Sequence, residues 1–169
     1  MIKLFSQELK TRIGTLEIVG SSSGLCQISF PNRPFECRSV WFEQYFSQLP
    51  KKGKIPILNQ ASKQLREYFA GQRQCFQLQL YLKGTPFQVR VWEQLLDISY
   101  GCTVSYGEIA SRINKSQASQ AVGAAVGNNP ISIVVPCHRV LGHDGSLVGF
   151  SGGLPVKEML LKLEGAQFL

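Results

Sequence analysis

The stretch VSYGEIASRINKSQASQAVGAAVGNN, Val104–Asn129, decides how the second half of this chain is read. Ser105 and Glu108 stand three residues apart ahead of an apolar run, which is the spacing of a capping box. That spacing predicts a helix over YGEIASRI. After the break NKSQ a second helix is expected over ASQAVGAAVG, closed by Gly127 and the Asn-Asn-Pro that follows. Two short helices joined this way resemble a helix-turn-helix. The second is nearly bare: Ala118, Ala121, Gly123, Ala124, Ala125 and Gly127 leave little side-chain bulk, although each helical glycine costs about 1 kcal/mol relative to alanine. Such a helix can pack tightly or enter a narrow groove, but it offers few side chains to read base edges.

On the amino-terminal side, Thr85-Pro86-Phe87-Gln88 forms another capping box with proline at the first helical position, and Phe87, Val91, Leu95 and Ile98 trace an apolar stripe. On the carboxy-terminal side, residues 131–135 read as a buried strand. VKEMLLKLEG reads as a last helix with Val156, Met159, Leu160 and Leu163 facing inward. The first half reads differently. Residues 1–30 are β-prone, with a hairpin around GSSSG, and residues 31–60 look irregular, with four prolines and the basic KKGK. A short amphipathic helix over ASKQLREYFAG is followed by CFQLQLYL, which alternates like a strand and runs into Gly84. Composition and periodicity change there, so the expected domains are 1–83 and 84–169.

The net charge of +7 is unevenly placed. Residues 1–84 hold 12 Lys and Arg against 5 Asp and Glu, whereas residues 85–169 hold 6 against 6. An anionic partner, nucleic acid being the commonest, fits the total, but the second half is no simple basic patch. Five cysteines without a CxxC pair argue against a disulfide framework and a zinc site, and for a reducing compartment. With no long apolar run and no leader-like start, a cytoplasmic protein without membrane association is expected.

The chemistry concentrates in IVVPCHRV. Cys137 stands beside His138, but in a strand the two side chains would point to opposite faces. They can cooperate if Pro136 ends the strand and the chain turns, or if a water bridges them. A thiol of ordinary pKa, about 8.5, needs such help to become a nucleophile, and Glu164 on the last helix is placed to orient the imidazole. The residues alone leave three readings open: an inert buried cysteine, a hydrolase or transferase that turns over, and a DNA-binding or damage-sensing module. His143 reads as an exposed turn histidine, and Cys26, Cys37, Cys75 and Cys102 lack a neighbouring histidine.

PCHRV, preceded by GNNPISIVV and followed by GFSGGLPVKEMLLKLEG, closely resembles the active-site region of O6-alkylguanine-DNA alkyltransferases. The likeness extends through GTPFQVRVWEQL, VSYGEIA and AVGAAVGNNP, and LREYFAG also fits. The resemblance implies an α/β amino-terminal domain, a ribonuclease H-like sheet plus helix without that activity. A mostly α carboxy-terminal domain with a winged-helix-like helix-turn-helix follows it. It implies a monomer without cofactor that acts on double-stranded DNA containing alkylated guanine. The alkyl group would pass irreversibly and once per molecule from O6 of guanine to Cys137, and O4-alkylthymine is left open as a second substrate.

By position, His138 would take the thiol proton through a water, with Glu164 behind it, and Asn129 would tie the helix pair to the active-site strand. Tyr106 would press on the flipped nucleotide and bond the base, the carbonyls of Cys137 and Val140 would accept from the guanine amino group, and Ser151 would donate toward O6. The second helix, with Ala121, would enter the minor groove, which suits its small residues because repair gains nothing from reading flanking sequence. Two positions depart from the family. Gln120 stands where an intercalating arginine is usual, and Phe150 where a tyrosine is common. Some family members bind structural zinc in the first domain; with no histidine before residue 138, none is expected here.

Overall fold

The computed structural model describes every residue from Met1 to Leu169, and the chain divides into two units, Met1–Lys83 and Gly84–Leu169. The first is built on a sheet. Strands β1 (Phe5–Thr11), β2 (Gly14–Ser21), β3 (Gly24–Ser29) and β4 (Lys51–Lys52) lie in the order β3-β2-β1-β4. The first three form an antiparallel meander, and β4 pairs parallel with the start of β1. The hairpin expected around GSSSG joins β2 to β3. Helix α2 (Pro56–Phe69) packs on this sheet through Leu58, Ala61, Leu65 and Tyr68, all fully buried. It begins at a proline, whose missing N–H costs nothing in the first turn, so it starts five residues before the alanine from which a helix was expected. At its other end an Arg12 guanidinium nitrogen donates to the Phe69 carbonyl at 2.6 Å.

Two expectations for this unit are corrected. Residues 31–60 are not irregular throughout: α1 (Phe35–Phe46) occupies twelve of them. Its inward face is short: Phe42 and Phe46 are buried, Trp41 and Tyr45 pack beside them, and Phe35 and Val40 are exposed. CFQLQLYL is not a strand. It keeps the alternating exposure of one, but only Leu80 bridges to Leu25. The side chain of Gln64 takes up the backbone of Gln77 instead, donating to its carbonyl at 3.0 Å and accepting from its N–H at 2.8 Å.

In the second unit, α3 (Pro86–Leu96) and α4 (Tyr106–Arg112) both open with complete capping boxes, Thr85/Gln88 and Ser105/Glu108. Helix α5 (Ser119–Gly127) completes the helix pair, and the indole N–H of Trp92 on α3 donates to the Ala125 carbonyl at 2.8 Å. Val104–Ser105 (β5) pairs parallel with Val140–Leu141 (β6). This short ladder seats the start of α4, and with it Tyr106, beside the segment that follows Cys137.

Residues 131–135 are buried but do not form a strand. Val134 and Val135 donate to the carbonyls of Ser132 and Ile131 in tight turns, and Ile133 sits at φ 74°, an unusual conformation for a β-branched residue. Asn129 acts as the missing neighbour strand: its amide donates to the Val135 carbonyl at 2.8 Å and its oxygen accepts from the Ile131 N–H at 3.0 Å. The last helix, α6 (Leu154–Leu163), is rotated from the expected register. Its buried residues are Lys157, Leu160 and Leu161, with Glu164 following, while Val156, Met159 and Leu163 are only half-buried. No helix is long and apolar enough to cross a membrane.

Candidate active site

After Pro136 the chain makes one turn of 3-10 helix, Cys137–Arg139. Side chains in such a turn do not alternate between faces, so the obstacle posed by strand geometry is removed. His138 and Glu164 meet in the interior with both side chains fully buried, Nε2 lying 2.7 Å from Oε1. Arg139, which sequence reasoning passed over, completes this cluster. Its Nε donates to Glu164 Oε2 at 2.8 Å, one terminal nitrogen to Oε1 at 3.0 Å and the other to the Ile98 carbonyl at 2.5 Å. The Gly101 N–H adds a bond to Oε2 at 3.3 Å.

These contacts decide the protonation states. Burial pushes Glu164 up, but hydrogen bonds and charges from His138 and Arg139 outweigh it and hold the carboxyl well below its usual range. Glu164 is therefore an anion that accepts, and His138 Nε2 must carry the proton. Burial pulls the imidazole down, with Glu164 opposing, so the ring is neutral near pH 7 and its lone pair sits on Nδ1. That atom is buried and has no hydrogen-bond partner in the protein. Burial also pushes the Cys137 thiol up, opposed by a hydrogen bond from Asn129 and by the charge of Lys157. The resting pair is a thiol and a neutral base.

Cys137 opens onto a cavity of about 220 Å³ lined by Tyr106, Gly123, Val126, Gly127, Gly149, Phe150 and Ser151. This is smaller than the roughly 300–1,000 Å³ of pockets for drug-sized ligands and suits one planar base. Two larger clefts in the first unit, about 610 and 720 Å³, contain neither cysteine nor histidine. Of the residues singled out in the sequence, Cys137, Tyr106, Phe150 and Ser151 thus share one cavity. His138, Glu164 and Asn129 lie behind it as buried supports.

The Tyr106 hydroxyl donates to the Val148 carbonyl at 3.1 Å. The Val140 carbonyl accepts from Lys157, a second residue the sequence reading missed. Gln120 and Ala121 are exposed at the start of α5, in a row with Ala124 and Gly127; of these four only Gly127 lines the cavity. The signal for Lys157 was available only as an interruption. Lys157, Leu160, Leu161 and Glu164 repeat at the spacing of one helix face, with a charge at each end.

The family model described as 6-O-methylguanine DNA methyltransferase, DNA binding domain, matches residues 86–166, and the one described as its ribonuclease-like domain matches residues 7–82. The methylated-DNA–protein-cysteine methyltransferase of Methanosarcina acetivorans is 42% identical over 156 residues, 91% of this chain and 94% of that protein. Its counterpart from Haemophilus influenzae is 36% identical over 170 residues, covering 100% and 90%. Among solved structures, Mycobacterium tuberculosis OGT in complex with DNA superposes with a TM-score of 0.83 at 40% identity, covering 95% of this chain and 92% of that one. Both halves match, over nearly their full lengths, so the chain belongs to the 6-O-methylguanine DNA methyltransferase family.

Proposed function

We propose that this protein repairs double-stranded DNA by moving an alkyl group, once per molecule, from O6 of guanine to the sulfur of Cys137. The observation that carries this reading is the arrangement around Cys137: a thiol at a base-sized cavity, backed by a neutral histidine whose unpartnered Nδ1 is held basic by Glu164. The target base is hidden inside a duplex and must be extruded to reach the cavity, which costs least for a damaged, weakly paired base. The bare, exposed row of α5 suits approach to the minor groove, with Gln120 filling the vacated stack.

In the reaction, the thiol proton passes to His138 Nδ1 through a water, and the thiolate attacks the alkyl carbon in line with its bond to O6. The S–C bond forms as the C–O6 bond breaks, and the bonding pair leaves on guanine. Guanine then takes up one proton, so a thiol and an O6-alkylguanine become a thioether and guanine. Tyr106 and Ser151 are the donors at the cavity wall for the base, and the Val140 carbonyl is the acceptor for its amino group. A thioether has no good leaving group, so the protein is spent after one transfer. The five free cysteines fit the reducing cytoplasm as its location.

Intact mass and peptide mapping after incubation with a duplex oligonucleotide carrying O6-methylguanine test the proposal. One methyl group on Cys137, absent in Cys137→Ser, is expected. Continued turnover of substrate would make the protein a hydrolase, and binding without modification would make it a sensor.

A further inference from the structure

The exposed row of α5 brings no charge to a duplex: Gln120, Ala121, Ala124 and Gly127 are all neutral, and residues 85–169 balance 6 cations against 6 acids. Affinity for DNA comes largely from cations set against its phosphates. The surplus of cations lies in the first unit, where they divide into two sets. One set is engaged inside the unit. Arg12 donates to the Phe69 carbonyl, Arg38 pairs with Glu17, Arg73 pairs with Glu67, and Lys83 lies over the Tyr81 ring. The side chains of Lys52, Lys54 and Arg66 make no hydrogen bond or ion pair. All three are exposed, and they line one cleft of about 720 Å³ where β4, α2 and the edge of β1 meet.

The local fold gathers these cations. Strand β4 pairs only with Phe5 and Ser6 and ends at Lys52, so β1 beyond Ser6 has no neighbour on that side. Helix α2 forms the other wall, with Asn59, Lys63 and Arg66 following one another on its exposed face. Two acids border the cleft. Glu17 is neutralised by Arg38, which leaves Glu8 alone against the three free cations. An edge lysine also blunts strand pairing, but that accounts for Lys52 and not for Lys54 or Arg66, which lie outside the strand. We propose that this cleft holds the phosphate backbone of duplex DNA and supplies the attraction that α5 lacks. The choice of DNA as occupant rests on the repair reading above. A phosphate contact carries no sequence information, so it suits a protein that must sample undamaged duplex until it meets an altered base.

The test uses the full chain and an undamaged duplex, so binding is read without methyl transfer. Fluorescence anisotropy gives Kd from about 50 to about 200 mM salt. The triple variant Lys52→Gln, Lys54→Gln, Arg66→Gln should flatten the slope of log Kd against log salt by about 2–3, since each phosphate contact contributes about 0.9. At the low-salt end it should bind about tenfold or more weakly. Glu8→Gln should act in the opposite sense and tighten binding severalfold. A matched variant, Lys3→Gln, Arg73→Gln, Lys83→Gln, removes the same formal charge outside the cleft and should keep the wild-type slope. A wild-type slope in the cleft variant, or an equal loss in the matched variant, overturns the proposal. Should the cleft variant fail to fold, an unchanged Kd in Glu8→Gln overturns it alone. A parallel incubation with an O6-methylguanine duplex separates the two readings. Cleft-dependent binding without a methyl group on Cys137 removes the repair reading and keeps the cleft as a DNA site. Methylated Cys137 with a slope that the cleft variant does not change keeps repair and removes the cleft.

Discussion

Replacing Glu164 with glutamine tests the buried support of the nucleophile most directly. Four N–H groups enter this carboxylate: His138 Nε2 at 2.7 Å and an Arg139 terminal nitrogen at 3.0 Å on Oε1, and Arg139 Nε at 2.8 Å and the Gly101 amide at 3.3 Å on Oε2. Glutamine has one oxygen and one NH₂, so its NH₂ must face donors whichever way it is turned. At the Oε2 position it would oppose Arg139 Nε and a backbone amide, neither of which can give up its proton. At the Oε1 position it opposes one terminal N–H of Arg139 and His138, and His138 can move its own proton from Nε2 to Nδ1, which leaves one opposed donor instead of two. The second orientation is therefore favoured, and it puts the proton on the atom that must accept one from Cys137. The comparable change in a Ser-His-Asp triad lowers the rate by about 10⁴, and we expect about 10³–10⁴ here.

Arg139 remains buried without its counter-charge, for a stability loss of about 3–5 kcal/mol. Because Glu164 is held below the ordinary carboxylate range, its contribution is present above that range and is lost as pH falls through and below it. The glutamine variant lacks this component, so its acid limb should be flatter. Rapid-quench methyl transfer at pH 7.5, with denaturant unfolding from about pH 4 to pH 7, measures both effects. A transfer rate within about threefold of wild type would refute the assignment of the His138 tautomer to Glu164.

Gln120→Arg should tighten binding to O6-methylguanine duplexes and speed repair, because glutamine brings neither a charge nor a guanidinium plane to the vacated stack; unchanged Kd and rate would sink this. Gly127 lines the cavity, and a Cβ there meets nothing within 4 Å. Gly127→Leu should therefore fold with stability equal to wild type or up to about 1 kcal/mol higher, yet transfer no alkyl group because its side chain fills the cavity; intact mass and thermal unfolding read the two together. Burial holds His138 neutral below its usual 6.5, so the unfolded chain binds this proton first and stability should fall as pH drops through and below about 6.5. Unfolding curves from pH 8 to pH 5 check this, and His138→Gln should remove that part of the decline.

The second unit was the more legible because its signals are local. Ser105/Glu108 and Thr85/Gln88 each satisfy their own helix ends within four residues, and both boxes are complete in the structure. Two misread elements are those whose backbone is bonded by a side chain rather than by a neighbouring strand. CFQLQLYL has the alternation of a strand, but the Gln64 side chain takes the place of a partner. ISIVV has the composition of a strand, but Asn129 takes its amide and carbonyl and turns it back. Periodicity reports which face is buried; it does not report what bonds the backbone. The site followed the same division. Cys137 and His138 stood out by type, and Glu164 by its place near the inward face. Arg139 and Lys157 did not, because a charged side chain in a sequence ordinarily marks solvent, and only the fold shows that each is enclosed by acceptors.

That enclosure bears on single use. A protein that reacts once is lost if its thiol meets any other electrophile, so the thiol must stay unreactive until the substrate arrives. Cys137 is 3% exposed and burial pushes its pKa up, which keeps it protonated, whereas Cys37, Cys75 and Cys102 lie exposed. A strongly basic neighbour would defeat this by forming a standing thiolate. His138 is instead pulled down by burial, and the strong charges of Arg139 and Glu164 are spent largely on each other. In the proposed transfer the proton moves as an alkyl carbon stands in line with sulfur and the developing thioether removes the negative charge. The same burial that makes Cys137 a poor general nucleophile makes it selective for a carbon delivered into its cavity on a flipped base.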